Sequence, residues 1–154
     1  MDYEDDVLQG QIIRMGLNHN GKTLRDLRDL IKACYVGDVG KVYPLIRKDL
    51  INAFARTRKG DHVNALYIAI KRNNLELCNC LIGNGCDVNI LYELGQTPVI
   101  LAAACQHLEV ACVLAEHGAD IHAKDEMGRT ALDLLHHDYR ERSLIEASLL
   151  YNKS

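Results

Sequence analysis

Apolar residues recur along this chain in short stretches that small polar residues and glycine interrupt at regular intervals. Ile100 to Cys105 is an apolar run of small residues, and Gln106-His107 breaks it. Leu108-Glu-Val-Ala-Cys-Val-Leu-Ala115 then spaces its apolar positions for one face of a second helix. Thr97 suits a helix N-cap, and Pro98 suits the first helical position, where a missing N–H costs nothing. Gly118, after Glu116-His117, stands where a left-handed C-cap belongs. Residues 120–128 run outward and turn back. The pattern predicts two short helices and a turn.

The same plan recurs. Gly95-Gln-Thr-Pro-Val-Ile-Leu-Ala-Ala103 is echoed by Gly128-Arg-Thr-Ala-Leu-Asp-Leu-Leu135, at a period of about 33 residues. Gly85-Cys-Asp-Val-Asn89 and Gly118-Ala-Asp-Ile-His122 form a second landmark at another phase, with the same offset. A fixed period of this length marks stacked units, each burying its face against its neighbours. Four repeats are placed at about 24–57, 58–90, 91–123 and 124–154, within a repeat domain of 23–154. Residues 1–22 form an acidic leader, expected to be mobile in part. The first unit is degenerate: Leu30-Ile-Lys-Ala-Cys34 and Gly37-Asp-Val39 echo the helix starts, and Thr23 with Asp26 resembles a capping box. Pro44 falls inside its second helix and is expected to bend that helix or shorten its start.

Gly95-x-Thr97-Pro98, Ala102-Ala103, His107-Leu-Glu-Val110 and Gly118-Ala-Asp120 together resemble the ankyrin repeat. Ala65-Leu66, Leu75-Glu76-Leu77 and Gly85-Cys-Asp-Val-Asn89 match it more loosely, and Asp125-x-x-Gly128-x-Thr130-Ala-Leu132 opens a fourth copy. That copy departs at Tyr139-Arg-Glu-Arg142, as a polar terminal cap should. The resemblance implies an all-α solenoid of helix-turn-helix units with short β-hairpin-like fingers. It also implies a concave surface of finger tips and inner helices that binds a protein partner.

Composition sharpens this. Eighteen basic and 21 acidic residues leave a net charge of −3, too mild to announce nucleic acid or a membrane surface. Hydrophobic residues at 48% exclude global disorder, while aromatics at 5% leave a core of Leu, Ile, Val and Ala. The acidic start is no signal peptide, and no apolar run reaches the length of a membrane span. Six cysteines are therefore expected as free thiols in the cytoplasm or nucleus. In 154 residues no further domain is expected to fit, and the chain is expected to act alone, as a monomer, without cofactor.

Candidate chemistry is sparse. His136-His137 are adjacent, so on a helix they point about 100° apart and suit packing better than one metal ion. Cys78-x-Cys80 lacks zinc spacing; Cys80 and Cys86 are expected inward, and Cys105 at the surface. Asn20-Gly-Lys-Thr23 lacks the upstream glycine of a phosphate loop, and no nucleophile or metalloprotease motif is present, so no catalytic residue is assigned. The resemblance makes Asn89 and His122 candidates for hydroxylation; the simpler reading is that the asparagine ties its own turn through local hydrogen bonds. The first finger, from Asn52 to Asn64, is longer than the next, from Asn89 to Thr97. It carries Arg56, Arg58 and Lys59, and Lys71 and Arg72 close the following inner helix. Later fingers carry Glu93, Leu94 and Gln96, then Glu126, Met127 and Arg129, with Cys105 closing an inner helix. The surface would run from basic to acidic with apolar anchors between, favouring an oriented protein partner. The alternative is a nucleic acid or phosphate ligand at the basic finger near Arg58.

Overall fold

Asn64, Thr97 and Thr130 set the rhythm of the fold: each caps a helix, and the interval between successive caps is the same. In the computed structural model, residues 13–14, 21–56, 60–135 and 147 are described, with backbone alone at 13–14, 21–24 and 56. The chain divides into two compact units, Met1–Cys86 and Asp87–Ser154.

In the first unit, β1 (Ile13–Arg14) precedes α1 (Gly21–Val36) and the short α2 (Val39–Val42). The strands β2 (Ala55–Arg56) and β3 (His62–Val63) lead to α3 (Ala65–Lys71) and α4 (Leu75–Gly83). The three strands form one antiparallel sheet in the order β1-β2-β3, with Ile13 opposite Arg56 and Ala55 opposite Val63. The first finger is thus a true hairpin, and part of the leader pairs with its edge. Leu27, Leu30 and Ile31 of α1 are buried, as are Leu66, Ile68 and Ile70 of α3 and Leu77 and Leu81 of α4.

The second unit holds α5 (Pro98–Ala104), α6 (Leu108–Glu116) and α7 (Ala131–Leu134). Helices α3 and α5 have 7 residues each and α4 and α6 have 9, so the two middle repeats match in length as well as in phase. Residues 99–103 are all buried, and two of them are alanines, which let the neighbouring helices approach closely. The fold is all-α but for the small sheet, as the pattern predicts.

Three local expectations are corrected. Helix α1 begins at Gly21, so Thr23 lies in its first turn and is not the N-cap. Pro44 does not shorten the start of α2; it ends that helix, which passes into a 3-10 turn at Tyr43–Leu45. Proline lacks the N–H that the next α-helical bond requires. Cys80 is half-exposed, although Cys86 is buried as expected.

Candidate functional site

The second unit places two fingers side by side. In the first of them, Leu94 and Gly95 both have positive φ, 57° and 72°, and the Gln96 N–H donates to the Glu93 carbonyl at 3.1 Å. Two left-handed central residues make this a type I′ turn, which prefers asparagine before glycine. Here a leucine takes the asparagine's place, and it is 68% exposed. The Tyr92 N–H donates to the Gln96 carbonyl at 2.7 Å and closes the hairpin, with Gln96 half-buried below the tip.

The next finger is fixed by Asp125, which is only 7% exposed. Its Oδ1 accepts the backbone N–H groups of Met127 and Arg129, both at 2.9 Å, and its Oδ2 accepts Arg129 Nε at 2.9 Å. The Arg129 N–H bond above all, then the Arg129 side chain, holds the Asp125 carboxyl below the usual aspartate range against the opposing effect of burial. Arg129 is therefore committed within its own finger. Met127 is left at the tip, 76% exposed.

One backbone bond joins the tips: the Glu126 N–H donates to the Leu94 carbonyl at 3.0 Å. A Cβ on Gly95 would lie 3.0 Å from that same nitrogen, so glycine is what allows the approach. Leu94, Glu126 and Met127, separated in sequence, are thus brought together. Glu93 stands beside Leu94, and Leu91 on the same finger is 66% exposed. Residues 87–135 carry eight acidic side chains against Lys124 and Arg129, a net of −6 in a chain of −3.

Asn89 acts between turns. Its Nδ2 donates to the Gly118 carbonyl at 3.1 Å, and its Oδ1 accepts the Asp120 N–H at 2.9 Å. The local tie falls to Asp87, which accepts the Asn89 N–H, and Asp120 does the same for His122. The reading of Asn89 as a local turn anchor is corrected accordingly. His122, one period on, is exposed.

In the first unit, the Arg72 guanidinium lies over the Tyr35 ring, 4.5 Å from its centroid, and Lys71 lies 6.0 Å from that of Tyr67. Both cations are exposed at the end of α3. Arg56 lies in β2, while Arg58 and Lys59 fall outside the described residues, as do His136 and His137. Cys105 caps α5 and is half-buried. Burial first, and neighbouring thiols second, push Cys34 and Cys78 up to about 12, so both stay protonated at neutral pH. Among the described residues, no group of three or more His, Cys, Asp or Glu could hold a metal ion.

The profile of the ankyrin repeats matches residues 30–134 in 3 copies. The chain belongs to the ankyrin-repeat family. This ankyrin-repeat chain is 32% identical over 98 residues to protein phosphatase 1 regulatory subunit 27 of Homo sapiens, covering 59% of this chain and 64% of that protein. It is 34% identical over 86 residues to transient receptor potential cation channel subfamily A member 1 of Homo sapiens, covering 56% and 7%. To the tankyrase of Caenorhabditis elegans it is 34% identical over 111 residues, covering 70% and 4%. It spans less than two thirds of the length of each. The ankyrin-repeat domain is a non-catalytic interaction fold whose members generally bind proteins. Among the described residues no helix is long and apolar enough to cross a membrane.

Proposed function

We propose that this chain is a non-enzymatic protein-binding module, an adaptor, scaffold or inhibitor, and that the paired finger tips of its second unit carry the contact. One observation supports this most: Leu94 occupies a left-handed position that disfavours leucine, and most of its side chain faces solvent. Neither local conformation nor burial accounts for it there, whereas an apolar anchor for a partner does. Lys71 and Arg72, with Arg56, Arg58 and Lys59, would supply a second, basic contact from the first unit. The test is a photo-crosslinking residue placed at 94, 127 or 116, the last on the exposed end of α6. The reading predicts that 94 and 127 join to the same protein and that 116 does not. Equal capture from 116, or none from the tips, would contradict it.

A further inference from the structure

The paired tips combine two properties that together define what fits them. The first is apolar: Leu91, Leu94 and Met127 present three large hydrophobic side chains on adjoining fingers. The two tips are held by the backbone bond from the Glu126 N–H to the Leu94 carbonyl and by the Asp125 turn, so the surface is preorganised. The second is electrostatic. Glu93 and Glu126 flank the apolar side chains, and the whole segment 87–135 carries a net charge of −6. That figure already includes its two cations, Lys124 and Arg129, and Arg129 is bound to Asp125 by a 2.8 Å ion pair. A nucleic acid or an acidic peptide is repelled by such a net charge, whereas a basic segment is attracted to it.

We infer that the tips of the second unit receive a basic segment of a partner protein, an apolar side chain lying against Leu94 and Met127 and lysine or arginine against Glu93 and Glu126. This rests on the reading of the tips as a protein contact and adds the chemistry of what they hold. Long-range attraction from the acidic segment steers the basic chain to the surface, and the apolar tips then hold it. The association is therefore salt-dependent in rate and dependent on Leu94 and Met127 in lifetime.

The test uses the full chain and three fluorescein-labelled peptides of equal length: one alternating arginine and leucine, one arginine and serine, one glutamate and leucine. Fluorescence anisotropy should show the arginine–leucine peptide binding best, with affinity falling about tenfold from about 20 to about 150 mM salt. Leu94→Asn and Met127→Ser should each weaken it about tenfold, since central apolar anchors dominate such contacts. Asparagine suits the turn, so a failure to fold is not the expected cause, and circular dichroism checks this. Glu93→Gln with Glu126→Gln should flatten the salt dependence. Equal or tighter binding of the glutamate–leucine peptide, still lost in Leu94→Asn, would overturn the basic partner and leave the tip as a contact. Arginine–leucine binding indifferent to Leu94→Asn and Met127→Ser would overturn the tip itself. A dimer of this chain by light scattering, abolished by Leu94→Asn, would overturn the foreign partner in favour of a second copy.

Discussion

Leu94 and Gly95 make opposite demands on the same turn. A leucine in the left-handed region costs about 1 kcal/mol, and asparagine relieves most of that. Leu94→Asn should therefore stabilise the protein by about 0.5–1 kcal/mol, a rise in Tm of about 1–4 °C by scanning calorimetry. A fall in Tm would mean that Leu94 packs in the free protein after all. Gly95→Ala should do the reverse and cost more than Gly118→Ala, by about 1 kcal/mol or more. Both positions have positive φ, but only at Gly95 would the new Cβ meet backbone, whereas at Gly118 it meets nothing within 4 Å. Asn89→Ala removes both side-chain bonds between successive turns and should destabilise by about 1–2 kcal/mol in chemical denaturation. An unchanged midpoint would show the clasp to be idle. The conformational residues among these were legible in the sequence. Gly95, Thr97, Pro98 and Gly118 each impose a backbone state that depends only on close neighbours. Asn89 was not, because its partners lie 29 and 31 residues away and an asparagine serves a local turn equally well. The strain at Leu94 was hidden too: its place on the finger was read from the repeat, but its φ belongs to a type I′ turn that a leucine does not announce.

The elements differ in how firmly they are built. Helix α5 is capped by the Thr97 side chain, α6 ends on backbone bonds at His117, and the inward positions of both are covered. Gln106 adds a tie: its Nε2 donates to the Ala103 carbonyl at 3.1 Å and to the Leu134 carbonyl at 2.8 Å. In the first repeat, α2 has only 4 residues before Pro44 ends it. Hydrogen exchange should accordingly protect 101–103 and 110–114 longest, with 39–46 among the first to exchange. Slower exchange over 39–46 than over 101–103 would refute this order. Helix phases from α3 onward were legible because small apolar runs and caps recur once per repeat. The β1 pairing was not: so short a strand bears no periodic signal, and its register is set by β2, beyond the whole first repeat's helices.

Charge and burial act on the molecule as a whole. Cys34 and Cys78 bind their protons more tightly folded than unfolded, since burial raises their pKa to about 12. The stability linked to them is complete below the unfolded thiol pKa of about 8.5 and is lost as pH rises toward the folded value. Tm should thus decline above about pH 9, and native thiol labelling should reach Cys80, Cys105 and Cys112 well before Cys34 and Cys78. At the acid end, Asp125 is held in its charged form by the Arg129 N–H and side chain. Its contribution is present above the unfolded aspartate pKa of about 3.9 and is lost as pH falls through its lower folded value. The finger tips should loosen there before the helices do. The family, its helical units and the exposure of Leu94, Glu126 and Met127 were all readable in the chain. The concentration of negative charge in 87–135 gained meaning only with the tips assembled. The central claim is that these tips are where the protein meets its partner. It is tested most directly by hydrogen exchange on the full chain, free and bound to the protein that position 94 captures. The account predicts new protection confined to 91–96 and 124–129, with the helix α6 unchanged. Protection centred on α4 or α6, with the two tips exchanging as in the free protein, would contradict it.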